Sequence, residues 1–376
     1  MLSSGVFHYG VAYARAMQGQ ASVVCLSLLN ERSVHSSIVK SALSSVEYRT
    51  LSFETNWEKV LSVNKIVRWA KEFSPDIIHF SDGCDKPVYG ALLFPLLSRI
   101  APICVTVHEP VEYSDYRFFA YERRAIQAAY RRVSHCFVHG PWGKAKLTER
   151  GIPGKDVSIV HHGVLDYFDR GSYRETRRED RTILLFGHLR QRKGIHRLLE
   201  IAENIHSRFS DATFIVAGAK VAWGARDGTP GWSLSLEQLL KDMRGKTYFE
   251  VHEGFVPDER VEYFFRRASI TLLPYFEASQ SGVPMIAMPL GSVVVAAKVG
   301  DLPQVITHNE TGILCDSAVD SITEAVCGLL SDRQQRERLA ENARAFSLSA
   351  CSWQHITRHM LETYKKVLNA KQSAHS

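Results

Sequence analysis

Two short stretches gather the residue types that hold an anion beside a polyol. Gly187-His-Leu-Arg-Gln-Arg-Lys-Gly194 puts Arg190, Arg192 and Lys193 between two glycines. Arginine offers a planar fork to phosphate oxygens and lysine a point charge, a pairing suited to a diphosphate. Pro274-Tyr-Phe-Glu-Ala-Ser-Gln-Ser-Gly-Val-Pro284 sets one acid, Glu277, before the small and amide-bearing residues Ser279, Gln280, Ser281 and Gly282. Small residues let a backbone approach a ligand closely, and a carboxylate accepts hydrogen bonds from hydroxyls. With a helix beginning near Ser281 or Gly282, the free amides there form an anion site. An acid beside that anion repels it unless it faces neutral hydroxyls, which implies a ligand with phosphate and polyol parts. Taken singly, the first stretch fits a solvated basic loop equally well, and the second a helix start with a surface acid.

A third candidate is His108, ending the run Val105-Thr-Val-His-Glu-Pro110. A lone histidine at a strand end is more often structural than catalytic. The glycines and proline of Gly300-Asp-Leu-Pro-Gln-Val-Ile-Thr-His-Asn-Glu-Thr-Gly312 mark turns without saying what they bind.

These stretches need strands and helices to position them. Short β-rich runs alternate with helical patterns throughout, the signature of parallel α/β units. Ser22-Val-Val-Cys-Leu-Ser-Leu-Leu, Asp76-Ile-Ile-His-Phe, Ile103-Cys-Val-Thr-Val-His and His135-Cys-Phe-Val-His read as strands of a first domain over residues 1–165, with helices near 6–17, 57–73, 87–99 and 117–132. Residues 166–181 are dense in charge and poor in apolar spacing, as a linker would be. Strands then restart at Thr182-Ile-Leu-Leu-Phe-Gly, Ala212-Thr-Phe-Ile-Val-Ala-Gly, Ile270-Thr-Leu-Leu-Pro and Ser292-Val-Val-Val-Ala-Ala, for a second domain over 182–350. Between them Ile195, Leu198, Leu199, Ala202 and Ile205 share one helical face. The tail, 351–376, repeats apolar residues at Ile356, Met360, Tyr364, Val367 and Leu368, a helix that must pack on something, the N-terminal domain being one choice. The expected fold is α/β, two Rossmann-like doubly wound domains facing a cleft.

At 376 residues the chain has the length of two such domains, and its 45% apolar and 23% charged content is that of ordinary globular proteins. A net charge of +6 permits anionic partners without choosing among them. Seven widely spaced cysteines, never Cys-x-x-Cys, suggest neither a disulfide framework nor a zinc site, and point to a reducing cytosol. No apolar run approaches the roughly 18 residues of a membrane span, and no signal-peptide layout is present. Absence of Gly-x-Gly-x-x-Gly after any candidate strand argues against a dehydrogenase.

In order, Gly-x-x-x-x-x-Lys-Gly, Gly254-Phe-Val-Pro-Asp-Glu, Leu-Pro-x-x-Glu-x-Ser-Gln-Ser-Gly, Val-Gly-Asp-Leu-Pro-Gln-Val and Thr-Gly-Ile-Leu resemble a retaining glycosyltransferase of the two-Rossmann (GT-B) type, family 4 (glycosyl transferases group 1), in its Ser-Gln-Ser-Gly variant. The similarity is strong from about 182 to 315 and weaker in the N-terminal half. The resemblance implies that Lys193 and a nearby arginine hold the donor diphosphate, that Glu277 contacts the donor sugar with Ser279 and Gln280, and that backbone amides from Gln280 through Ser281 and Gly282 to Val283 approach the phosphates. It puts His108 beside the reacting sugar. Three departures stand out. The arginine expected after the first loop glycine is His188, which moves that role to Arg190. The second glutamate, which holds the ribose in the family, is missing near Ile286. The chain opens inside the loop that follows the family's first strand, so that strand is expected to be missing here and the natural start to lie some 10 to 20 residues upstream.

The expected activity is that of a retaining hexosyltransferase in cell-surface polysaccharide synthesis, moving a sugar from a nucleotide diphosphate sugar to a saccharide or lipid-linked acceptor. No covalent nucleophile, close carboxylate pair or Asp-x-Asp motif is evident, so neither cofactor nor metal is expected. The alternative is a catalytically weak nucleotide-binding or scaffolding relative, motivated by Ile286. Residues 113–150 hold eight basic residues against three acids, with Phe118, Phe119 and Tyr121 among them. That fits either an anionic membrane surface at the inner face of the cell membrane or a solvated helix face. A cytoplasmic location and no nucleic-acid partner complete the expectations.

Overall fold

The apolar runs of the second half become strands buried on both faces, as a parallel sheet covered by helices on each side requires. The computed structural model describes residues 4–27, 36–51, 56–81, 92–110, 120–220 and 232–373. In chain order its elements are α1 (Ser4–Met17), β1 (Val24–Ser27), α2 (Ser37–Ala42), β2 (Glu47–Thr50), α3 (Asn56–Phe73), β3 (Ile78–Phe80), α4 (Phe94–Leu97), β4 (Ile103–Thr106), α5 (Ala120–Tyr130), β5 (Val133–Val138), α6 (Pro141–Glu149) and β6 (Val157–Ile159). There follow β7 (Glu179–Phe186), α7 (Leu198–Arg208), β8 (Thr213–Gly218), α8 (Trp232–Arg244), β9 (Phe249–Glu253), α9 (Asp258–Arg267), β10 (Ala268–Leu273), α10 (Pro284–Ala287), β11 (Val293–Ala297), β12 (Ile313–Cys315), α11 (Val319–Ser331), α12 (Arg333–Ser349) and α13 (Trp353–Ser373).

Among the described residues two units result: 4–110 and 120–163 together with Trp353 onward, and Val164–Ser352. In the first, β3-β4-β5-β6 form a parallel sheet in sequence order, and β1 and β2 pair with each other in a separate sheet. Ile103, Val105, Cys136 and Val138 pack with Leu93, Leu97 and Leu147 in its core. The apolar face of the tail helix α13 is covered here: Ile356, Met360 and Tyr364 are buried, and the Tyr364 hydroxyl lies 2.7 Å from that of Tyr13 on α1.

The second unit holds one parallel sheet of order β12-β11-β10-β7-β8-β9. The chain enters at β7, builds outward to β8 and β9, then returns to β10 on the other side of β7. This reversal makes the carboxyl ends of β7 and β10 a topological switch point, where successive loops part and leave a crevice for a ligand. Strand residues Ile183, Val216, Ile270 and Val295 meet Leu198, Ala202 and Ile205 of α7, which the sequence spacing put on one face; Ile195 is buried just ahead of the helix, Ile201 joins the buried face, and Leu199 is only partly buried.

The charged stretch 166–181 is not a bare linker. Tyr167 and Phe168 are buried, and β7 already begins at Glu179. Buried Glu262 on α9 accepts from the amides of Gly171 at 3.1 Å and Ser172 at 3.2 Å, while Arg266 pairs with Asp169 at 2.5 Å. Arg178 donates to the carbonyls of Phe265, Ala268 and Leu290. These charges are compensated at long sequence separation, so the stretch folds as part of the second unit. Of the basic aromatic segment, residues 111–119, including Arg117, Phe118 and Phe119, lie outside the described residues. Among the described residues no helix is long and apolar enough to cross a membrane.

Candidate functional site

The carboxyl end of β7 is shaped by close backbone passage. Gly187 adopts φ +104°, its amide donates to Ala217 O at 2.9 Å, and a Cβ on Gly218 would come within 1.6 Å of Gly187 O. Residues Gln191–Lys193 make one 3-10 turn, ended by Gly194 at φ +78°. A Cβ there would sit 1.9 Å from Pro274 O, so only glycine allows the β7 loop to lie against the end of β10.

The two loops read from the sequence are thereby locked together. Arg192 O accepts from the amides of Phe276 at 3.2 Å and Glu277 at 3.4 Å. Lys193 Nζ lies 5.2 Å from the Tyr275 ring centroid, and the Tyr275 hydroxyl is 3.3 Å from Ser281 Oγ. Glu277 is exposed, Lys193, Arg190, Gln280 and Gly282 are half-buried, and Ser279, Ser281 and Val283 are buried. All eight sit at the switch point of the second unit.

The segment after Gly282 differs from expectation. The helix starts at Pro284 and ends at Ala287 after 4 residues, between Pro284 and Pro289. Met285 N donates to Gly282 O, and Ile286 N and Ala287 N both donate to Val283 O, while Val283 N donates to Ser281 Oγ at 3.3 Å. One turn carries little macrodipole, so the helix expected to begin near Ser281 or Gly282 is a short turn starting at Pro284, and of the amides from Gln280 to Val283 that of Val283 is engaged by Ser281 Oγ. Ile286, at the place of the family's second glutamate, is buried at 7% exposure.

The Gly300 motif acquires a function that its glycine and proline spacing did not disclose. Gly300 takes φ +53°, with Ala278 O 2.0 Å from the position a Cβ would occupy, and Asp301 N donates to Ser279 O at 2.8 Å. The motif braces the Glu277 loop from behind. Arg197 was also overlooked: its guanidinium donates to Ser317 O and, at 3.1 Å, to Pro274 O, and lies 5.7 Å from the Phe276 ring. A cation at the amino end of a helix opposes the dipole, and that anomaly was the available signal.

His188 is pushed down to about 3 by burial and then by the positive charges of Lys193, Arg190 and Arg192. It is a neutral imidazole at neutral pH and adds no charge to the basic loop.

His108 belongs to the first unit, two residues beyond β4, and is 2% exposed. Its Nε2 lies 3.0 Å from Ser81 O and its Nδ1 3.0 Å from Nε2 of His139. Burial, reinforced by His162, lowers its pKa to about 3. The partner His139 ends the strand run from His135, the same pattern that singled out His108.

Residues 173–346 match the family model of glycosyl transferases group 1, and residues 6–165 that of glycosyltransferase family 4. An uncharacterized glycosyltransferase of Methanocaldococcus jannaschii is 26% identical over 225 residues, 57% of this chain and 55% of that protein. D-inositol 3-phosphate glycosyltransferase of Corynebacterium glutamicum is 27% identical over 212 residues, 54% of this chain and 49% of that protein. The chain thus spans about half the length of these two relatives. A crystal structure of HepE from Anabaena in complex with UDP-glucose superposes with a TM-score of 0.73 at 16% identity, covering 97% of each chain, which shows the shared GT-B fold.

Proposed function

The chain belongs to the glycosyltransferase group 1 family, and on that premise we propose that it moves a sugar from a nucleotide diphosphate sugar to a saccharide or lipid-linked acceptor, with retention at the anomeric carbon. One observation carries the reading: a basic loop bearing Lys193 and an acidic loop bearing exposed Glu277 are interlocked through Arg192 O at the switch point of one sheet. That places a cation and a carboxylate on rigidly joined supports, one suited to phosphate oxygens and the other to sugar hydroxyls. As the bond from the anomeric carbon to the diphosphate breaks, negative charge grows on the departing oxygens. Lys193 and Arg190 are the residues assigned to stabilise it, so rate comes mainly from positioning and electrostatics. UDP bound to relatives of the same fold makes uridine diphosphate sugars the first donors to test.

Incubating the protein with a panel of nucleotide sugars tests the proposal. Transfer or hydrolysis of a donor supports it. Binding without turnover supports instead the catalytically weak relative suggested by Ile286. Glu277→Gln is expected to cut turnover roughly a hundredfold, about 3 kcal/mol of transition-state stabilisation, while nucleoside diphosphate binding stays near the parent value. Loss of diphosphate binding in that variant would move Glu277 away from the sugar. We further propose transfer without a metal: a chelator is expected to leave the rate unchanged, and magnesium-restorable loss would contradict this.

A further inference from the structure

In the first unit three histidines, His108, His139 and His162, gather beside one tyrosine, Tyr9, while His79 on β3 lies against Tyr13. The Tyr9 ring centroid lies 4.6 Å from that of His108, 5.5 Å from His139 and 5.2 Å from His162. Of these only His108 is placed beside the reacting sugar by the family resemblance. The hydrogen bonds of the others impose a proton count.

Ser81 O, 3.0 Å from His108 Nε2, can only accept, so Nε2 carries a proton. Val160 O, 3.2 Å from His139 Nδ1, can only accept, so Nδ1 also carries one. Between the rings, His139 Nε2 and His108 Nδ1 stand 3.0 Å apart, and that contact needs a third. Two neutral imidazoles carry two protons. The row of contacts from Ser81 O to Val160 O is complete only when the pair holds one more, and without it one contact sets lone pair against lone pair.

The geometry points to His139 as a positioning residue that acts through His108, the two imidazoles forming one unit that takes up a single proton from solvent between the carbonyls of Ser81 and Val160. In the neutral pair, His108 keeps Nε2–H toward Ser81 and accepts from His139 Nε2–H. The mismatch then falls at Val160, the longest of the three contacts. Opposing uptake are burial and the neighbouring imidazoles: His162 acts on both rings, His79 on His108 and His161 on His139. From α1 the uncharged Tyr9 ring packs against both imidazoles in edge-type contacts, with interplanar angles of 82° and 62°. From α13 Trp353 contributes an uncharged ring 5.0 Å from Tyr9. Glu109, which follows His108 in the chain, is the adjacent acid. Two coupled groups of this kind titrate with apparent midpoints that belong to the pair.

The proposal is read by proton–nitrogen NMR of imidazole-labelled intact protein, titrated downward from about pH 8 to the onset of acid unfolding. Expected are an Nε2–H tautomer for His108 at the alkaline end and one shared midpoint for His108 and His139 on acidification. Independent midpoints, or no uptake before unfolding, would overturn it. His139→Asn keeps an N–H donor for His108 Nδ1 and removes the shared proton. In that variant His108 is expected to retain its tautomer and lose the parent midpoint, and an unchanged midpoint would overturn the proposal equally. The catalytic arm rests on the glycosyl-transfer reading: in His139→Asn, kcat is expected to fall about tenfold with donor KM within twofold and the acid limb of the pH profile displaced. Protein that transfers no sugar but shows the shared midpoint sinks the transfer reading and leaves the pair standing.

Discussion

Lys193→Ala is expected to lower kcat/KM roughly a hundredfold or more, about 3 kcal/mol, and to weaken nucleoside diphosphate binding, with the melting temperature nearly unchanged. Lys193 is half-buried at the end of a glycine-bounded turn, its ammonium 5.2 Å from the Tyr275 ring, and among the described residues no acid pairs with it. Removing a lysine that stabilises only itself disturbs the fold little. The contacts that hold the loop, Gly194 against Pro274 O and Arg192 O to Phe276 N, are backbone contacts and survive the substitution. The nearby His188 is held neutral and supplies no substitute charge. Titration calorimetry with UDP decides the matter: a variant that binds as tightly as the parent would remove the diphosphate from this loop.

Acid is expected to destabilise the protein by at least about 3 kcal/mol between pH 6.5 and 5, seen as a falling melting temperature and lost near-ultraviolet signal. His108 and His162 are pushed down to about 3 and about 4 by burial, and His139 lies well below its ordinary range for the same reason. Over this interval the unfolded chain goes from about half a proton to nearly a full one on each of the three. The folded chain binds at most the one shared by His108 and His139. With two more protons on the unfolded side, stability is fully present above about pH 6.5 and is lost as pH falls toward the depressed folded values. At about 1.4 kcal/mol per proton per pH unit, with the unfolded imidazoles half protonated at pH 6.5, these three give about 3 kcal/mol, a large part of a typical total of 5 to 15 kcal/mol, and His79 and His188, also held at about 3 by burial, add to it. Flat stability from pH 7 to 5 would mean that these histidines are already charged in the folded protein. Comparing His162→Gln with the parent assigns part of the slope, because the variant should lose the share of one histidine while those of His79 and His188, held at about 3 by burial, remain.

The stretches that could do chemistry were legible because parallel α/β units put their loops at the carboxyl ends of strands. A basic run after Phe186 and an acid with small residues after Leu273 therefore had to lie at one edge of a sheet. Period-2 and period-3.6 patterns are local, and they gave β7 and β10 to within three residues at their starts and most of the buried face of α7, with Ile201 in place of Leu199. Pro289, two residues past the end of α10, was a local stop signal, but nothing local told that Gly300 and Asp301 would brace Ser279. Residues 166–181 looked like a linker because a single sequence shows charges without their partners, and Glu262 and Arg266 stand some ninety residues away. The His108 and His139 pair spans 31 positions. Alternation of apolar and polar residues is written along the chain, and so the sequence determined the elements and the chemistry at their ends. Which buried charge meets which partner, and how many protons a buried pair must hold, depends on distances that only the folded chain sets, because desolvation makes those matches costly to miss.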